Sequence, residues 1–314
     1  MGFDVVVVGA AGVDTLVYLP VGEPDWTRDS TMVHTVDTVG QAGAFSARGV
    51  ARLGWRTGFI GAFGDDWAAA MVRSAFAVDG VTIAAEVLDP AGTARSVNLM
   101  TADGRRRAFY DGRGHDQVAA PDPGSAFTGT RLVVFHLSDW CRRLLPAARA
   151  AGCVIAVDLQ DLDRVDDPYR RDFIAAADVV FFSGAHIVDP ASCARDLLAR
   201  GPSVAVAGLG AAGAMVAWRA SDGEFAQPIA VPAPELDLPI IDSNGAGDAL
   251  AVGTLHELVL LAPPAGSYTP EHMAAAMTSA VLSGQCAARW TCMRSGGDQL
   301  LTRADLKLLR TSIG

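Results

Sequence analysis

The chain has 314 residues, half of them hydrophobic, with 33 glycines and a formal charge of −10. That is enough apolar sequence for a large α/β core, and the glycines point to many turns rather than to disorder. The acidity argues against a nucleic-acid backbone or an anionic membrane surface as partner, so any phosphate ligand has to be held locally by amides, arginines or a metal.

The five cysteines (141, 153, 193, 286 and 292) form no Cys-x-x-Cys pair, and no histidine lies near Cys286 and Cys292 to complete a zinc site. They read as reduced thiols of a cytoplasmic protein. The first ten residues carry an acid and no basic region, which makes a poor signal peptide. No uncharged run reaches the roughly 18 apolar residues of a membrane helix.

Asp4 to Val8 is a β-branched apolar run, a buried strand by its pattern, and it leads into Gly9-Ala10-Ala11-Gly12-Val13-Asp14. Residues 16–37 hold prolines, a glycine and scattered polar groups, and Thr31 to Val39 alternates as an exposed strand would. Thr93 to Thr101 and Arg105 to Tyr110 read as two strands around Ala102-Asp103-Gly104, a hairpin signature. Arg105-Arg106-Arg107 would reach an anionic group or simply face solvent. From Leu132 onward, strands at Leu132 to Leu137, Val154 to Val157, Val179 to Phe182 and Val204 to Ala207 alternate with helices near 144–151, 169–177 and 191–200. That alternation implies a doubly wound, mainly parallel sheet flanked by helices, with ligands beyond the C-terminal strand ends. His136, Ser138, Asp158, Gln160, Ser183 and Gly208 fall near such ends. Of these, His136 and Ser138 are candidate substrate contacts, with a structural role the alternative.

Gly208-Leu209-Gly210-Ala211-Ala212-Gly213 matches Gly-x-Gly-x-x-Gly literally. A dinucleotide fingerprint should open a helix, and here a short apolar run, Ala214 to Trp218, follows instead and stops at Ser221-Asp222-Gly223. The match is therefore read as a turn before a strand. Asp242-Ser243-Asn244-Gly245-Ala246-Gly247-Asp248 sits between the apolar run Pro239-Ile240-Ile241 and a helical segment from Ala249 to Leu261 that Pro263-Pro264 stops. Strand, small-residue loop and helix aim free N–H groups and a helix dipole at one point, an anion site. A carboxylate beside that site, Asp248, is either dipole chemistry or a base that takes a proton from a hydroxyl attacking phosphorus. Having both features within seven residues favours the base. The chain closes with a helix over 270–289, a break at Ser295-Gly296-Gly297 and a short terminal helix.

Asp242 to Asp248 resembles the C-terminal signature of the ribokinase-like (PfkB-type) carbohydrate kinases, with Ser243 and Asn244 where threonines are usual. The resemblance extends over nearly the whole chain and implies one ribokinase-like domain over 1–314. It also implies lid insertions at about 15–39 and 92–112 that form a small β-sheet used for homodimerisation. It makes Asp248 the catalytic base and Gly245, Ala246 and Gly247 the anion hole. Asp14 is implied to bind sugar hydroxyls. Gly40 to Gly54 resembles the N-terminal signature: Gly40, Gly43 and Ala44 fit, Gln41 replaces a glycine, and Phe45 stands where a sugar-binding Asn is usual. Phe45 then either favours an acceptor with an apolar face or turns into the core.

Ile60 to Asp66 is similar to the family's Gly-x-x-Gly-Asp-Asp turn. Gly208, Gly210 and Gly213 would border the nucleotide, and Asp242 is a candidate ligand for a monovalent cation such as K⁺. Ser183-Gly184-Ala185-His186 replaces the family's Asn-x-x-Glu, so Ser183 and His186 are a poor Mg²⁺ scaffold and weakened metal dependence is expected. The implied activity is ATP- and Mg²⁺-dependent phosphorylation of a hydroxymethyl group on a sugar, nucleoside or related small molecule. The competing reading is a sensor that keeps the fold and binds such a metabolite without turnover.

Overall fold

The computed structural model describes residues 2–20, 22, 24–101, 106–113, 117–220, 222–236, 239–261, 270–296 and 300–313. Its centre is β1 (Val5–Val8), four valines with no exposed surface. Valine is β-branched and suits a pleated strand buried on both faces, so an unbroken apolar run rather than an alternating one marks the middle of a parallel sheet. The chain next builds β2 (Gly12–Tyr18), β3 (His34–Gly40) and helix α1 (Ala42–Arg52). It returns as β4 (Thr57–Phe63), α2 (Trp67–Asp79) and β5 (Val81–Leu88) on one side of β1, then forms β6 (Ala94–Met100) and β7 (Arg106–Asp111).

On the other side of β1 lie β8 (Leu132–Phe135), α3 (Asp139–Arg142), α4 (Leu145–Ala150), β9 (Val154–Asp161), α5 (Arg171–Ala176), β10 (Val179–Ser183), α6 (Pro190–Leu198), β11 (Val204–Gly208), β12 (Ala214–Trp218) and β13 (Ile229–Val231). The chain ends in helices α7 (Ala246–Leu255), α8 (Pro270–Cys292) and α9 (Arg303–Ser312). The helix expected over Ala249 to Leu261 starts earlier, at Ala246, and its last six residues, His256–Leu261, widen into a π-helix. The Pro263-Pro264 stop, Arg105 and the Ala102-Asp103-Gly104 turn lie outside the described residues.

The large sheet runs β13-β12-β11-β10-β9-β8-β1-β4-β5 and is parallel from β5 to β11, with β12 and β13 antiparallel at one edge. Successive residues of β1 feed opposite faces. Val5 and Val7 join Val50, Leu250 and Val281 of the helices on one side. Val6 and Val8 join Trp140, Phe173 and Leu197 on the other. The strand order reverses at β1, between β4 and β8, so a crevice is expected where these strands end.

The second sheet, β3-β2-β6-β7, is the predicted lid. Its central pair, β2 and β6, is parallel, and Asp14 pairs with Thr38 on β3 and with Ser96 on β6. Ser96 in turn pairs with Tyr110 on β7. The period of two puts Asp14, Tyr18, Ser96, Asn98, Arg106 and Tyr110 on one face, and Val97 and Phe109 on the other, where both are exposed.

One buried group outside the cleft carries a pH prediction. His256, at the start of the π-helix, is buried and accepts a hydrogen bond on Nδ1 from the Trp55 indole at 2.8 Å. Burial first, and then the charge of Arg303, pushes its pKa down to about 4. The unfolded chain takes up this proton below about pH 6.5, whereas the fold refuses it. The stabilisation is therefore complete above that pH and is lost as pH falls toward 4. Urea unfolding at pH 7 and pH 5 should show a loss of about 2 kcal/mol from this residue. His256→Gln should shrink that loss; an unchanged difference between the two pH values would refute it.

Candidate active site

The loop before α7 is held from below by Asp242, which is fully buried. Its Oδ1 accepts from the Asn244 amide at 2.7 Å. Its Oδ2 accepts from the Tyr18 hydroxyl at 2.9 Å and the Gly296 amide at 3.0 Å. This one carboxylate thus ties the lid, the loop and the end of α8 together. A carboxylate offers about four acceptor positions, and protein donors take three of them. These donors make it a structural tie, and no chemical step is assigned to an ion there.

Gly245 is the N-cap of α7 in the left-handed region, φ 74°. A Cβ there would sit 3.3 Å from the Phe45 ring, so glycine is required both by conformation and by close approach. It provides no side-chain cap, which leaves the first-turn amides of α7 to meet a ligand. One of the three predicted anion-hole amides is engaged: Ala246 donates to the Ser243 carbonyl at 3.2 Å, closing the turn. Phe45 is 4% exposed and packs beneath this loop. It therefore turns into the core, as the second of the two sequence readings had it, because α1 lays it against Gly245 rather than along the cleft.

Asp248 stands in the first turn of α7, its Oδ1 buried without a hydrogen-bond partner among the described residues. Burial first, then the negative charge of Asp158, pushes its pKa well above the usual carboxylate range, with Arg106 opposing. Asp158, at the C-terminal end of β9, is raised to about 6, again chiefly by burial. Gln160 holds Asp158 Oδ1 with its amide at 2.9 Å and takes φ 56°. His136 follows β8, is 3% exposed, and bonds Ser46 through Nε2 at 3.0 Å. Ser138 is buried as well. A Cβ on Gly9 would come within 3.0 Å of His136, so the end of β1 closes directly on it.

Asp14, on the cleft face of the lid, accepts from Gln41 Nε2 at 2.8 Å, Ser96 Oγ at 2.7 Å and Asn244 Nδ2 at 3.3 Å. Gln41 adopts φ 70° in the second glycine's place of the motif. Gly40 lies against the same carboxyl, where a Cβ would fall 2.1 Å from it. Arg106, also from the lid, donates to Asn244 Oδ1 at 2.5 Å. Hydrogen bonds thus join Asp14, Gln41, Asn244 and Arg106, Gly40 lies against Asp14, and the charge of Asp14 reaches Asp248, which stands beside His136 and Asp158.

The predicted nucleotide residues lie along the ends of β10 and β11. Ser183 pairs with Gly208, and Leu250 of α7 packs on Gly208. Gly210 takes φ 60° with open space around it. Gly213 is crowded by Val231, Ala233 and Gln285, which explains its glycine by chain packing. His186 is exposed. The run from Gly210 to Ala212 is a 3₁₀ turn leading to an antiparallel strand, as expected for a turn rather than a dinucleotide fingerprint.

The model of the pfkB family carbohydrate kinases matches residues 3–300. The chain belongs to the pfkB family of carbohydrate kinases. It is 34% identical over 257 residues to acarbose 7(IV)-phosphotransferase of Actinoplanes sp., an alignment covering 80% of this chain and 84% of that one. It is 32% identical over 235 residues to aminoimidazole riboside kinase of Salmonella typhimurium, covering 67% and 70%. A microbiome-derived acarbose kinase structure superposes with a TM-score of 0.81 at 33% identity, over 99% of this chain and 100% of that one. A ribokinase from Giardia lamblia gives the same TM-score at 15% identity over 99% of each chain, a likeness of fold. This kinase thus has the ribokinase-like α/β fold and the small separate sheet expected of it.

Within the kinase, sequence reasoning left four contributors unassigned: Ser96, Arg106, Asn244 and Asp158. Asp158 was legible only as a polar residue at a strand end. Arg106 lay in a basic run open to two readings. Ser96 and Asn244 became visible once β2, β6 and the loop were side by side.

Proposed function

We propose that this pfkB-family kinase transfers the γ-phosphoryl group of ATP to a hydroxymethyl hydroxyl of a carbohydrate or nucleoside, with Asp248 as general base. The observation that carries this reading is the free, buried Oδ1 of Asp248 in the same helical turn as amides that no side chain caps. The hydroxyl proton passes to Asp248, the hydroxyl oxygen bonds to Pγ, and the bond from Pγ to the bridging oxygen breaks, releasing ADP. A carboxylate whose pKa is raised is a stronger base for that step than an ordinary one. First-turn amides of α7 would stabilise charge on the transferring oxygens, an effect of several kcal/mol in comparable sites. Asp14, backed by Gln41, Ser96 and Asn244, would accept hydrogen bonds from acceptor hydroxyls.

The turn from Gly208 to Gly210 together with Ser183 would border the nucleotide. Mg²⁺ bound with ATP would supply positive charge against the charge of the phosphates. Ser183 and His186 offer it no carboxylate, so no step is assigned to a metal bound there. Lid pairing into a homodimer is supported by the exposed Val97 and Phe109 on the sheet's outer face. A cytoplasmic setting is supported by five free cysteines. Among the described residues, no helix is long and apolar enough to cross a membrane. The sensor reading finds no favouring observation, since the relatives of comparable length are kinases.

ADP release should be measured over a panel of acarbose, ribose and aminoimidazole riboside, with Asp248→Asn as control. Turnover on at least one acceptor that the substitution abolishes supports the proposal. Tight acceptor binding with no turnover would replace it by the sensor reading.

A further inference from the structure

His136, Asp158 and Asp248 come from the ends of β8 and β9 and from the first turn of α7, yet each places one ligand-type atom within 4.8 Å of the other two. The imidazole is almost wholly enclosed; its Nε2 is bonded to the Ser46 hydroxyl, and its Nδ1 has no hydrogen-bond partner among the described residues. An imidazole that donates from Nε2 keeps a lone pair on Nδ1. Asp248 Oδ1 is also buried and, among the described residues, unpartnered, whereas Asp158 Oδ1 is held by the Gln160 backbone amide, which leaves its other oxygen.

One imidazole nitrogen with two carboxylate oxygens is a donor set for a borderline divalent ion such as Mn²⁺ or Zn²⁺; Mg²⁺ strongly prefers all-oxygen surroundings. Metal–ligand distances of about 2.0–2.2 Å require the three atoms to draw together by about 1 Å, within the reach of small side-chain rotations. The charged groups facing the cluster are Arg106 from the lid and Arg170, which oppose a cation, and Asp14 and Asp161, which favour one. With two carboxylates in the trio, the balance is attractive.

We propose that His136, Asp158 and Asp248 form a binding site for one Mn²⁺ or Zn²⁺ ion, and that the bound ion inhibits phosphotransfer by occupying the base. The binding half stands on geometry alone; the inhibitory half rests on Asp248 being the base. The site uses neither Ser183 nor His186, so it does not restore a metal motif at those two residues.

The test titrates Mn²⁺ alone into the full-length, nucleotide-free protein and follows the free-ion signal by electron paramagnetic resonance. One ion per chain is expected, with affinity falling by well over about tenfold in Asp158→Asn and in His136→Gln, since even outer-shell changes cost about that much. His186→Gln should bind as the wild type does. Should His136→Gln fail to fold, Asp158→Asn, checked by circular dichroism, decides the matter. In turnover assays with Mg²⁺ and ATP held constant, Zn²⁺ should inhibit and a chelator should restore the rate. Absence of stoichiometric Mn²⁺ binding, or binding unchanged by Asp158→Asn, overturns the site. Loss of ion binding alongside normal turnover would refute this inference alone, and ion binding without any turnover would refute the kinase reading alone.

Discussion

Asp248→Asn should lower kcat by about 10³-fold while leaving the affinity for ATP within a factor of about two. The amide has the same shape and still fits the first turn of α7, but it cannot accept the hydroxyl proton. The substitution also relieves a like-charge conflict. Asp248 and Asp158 are both pushed toward the protonated state by burial, and each adds to the other's difficulty. Removing one charge should therefore raise the thermal midpoint as activity falls, the trade expected where a site is strained for function. Steady-state kinetics and thermal unfolding on the same preparation check both halves. A variant with turnover within tenfold of wild type would remove Asp248 from the chemistry; a lowered midpoint would show that the carboxylate pair is not in conflict.

Asp14→Ala should act on the acceptor and spare the nucleotide. A hydrogen bond to a charged partner is worth about 1.5–3 kcal/mol, and three protein donors leave Asp14 about one acceptor position, so losing that bond to an acceptor hydroxyl should lower kcat/KM for the acceptor by about 10–10²-fold. Gln41, Ser96 and Asn244 already donate to this carboxylate and hold it in place in the cleft. Their loss of a common acceptor should loosen the lid against the loop, whereas KM for ATP should stay nearly constant because the nucleotide residues lie at the ends of β10 and β11. Equal losses for both substrates would mean that Asp14 serves the fold rather than acceptor recognition.

The lid extends this argument. Tyr18 on β2 bonds Asp242, and Arg106 on β7 bonds Asn244, so an inner and an edge strand of the lid are both fastened to the same seven-residue loop. On the proposed function, acceptor recognition and phosphoryl stabilisation would be mechanically joined, since ordering the lid over a substrate would also order the loop before α7.

What was legible from sequence alone is what depends on neighbours along the chain. The valines of β1, the alternation of strands and helices after Leu132, the small-residue loop ending in Asp248 and the misleading glycine run at 208–213 are all local patterns. Backbone conformation, hydrogen-bond capping and apolar periodicity are set mostly within a few residues. The direction of Phe45 was not legible, because a helix position next to a signature motif reads the same whether its ring meets a ligand or Gly245. The occupation of Asp242 by Tyr18 and Gly296 was hidden because those donors stand 224 and 54 residues away along the chain.

The trio of His136, Asp158 and Asp248 was hidden for the same reason. Sequence placed two of its members at strand ends and one on a helix, and only His136 and Asp248 were candidates by themselves. Only the reversal of strand order at β1, which brings the ends of β8 and β9 under the first turn of α7, decided that they share one small volume. Burying two carboxylates together is costly, and no local signal announces it. Tertiary packing alone sets that cost, and with it the basicity that the proposed chemistry would use.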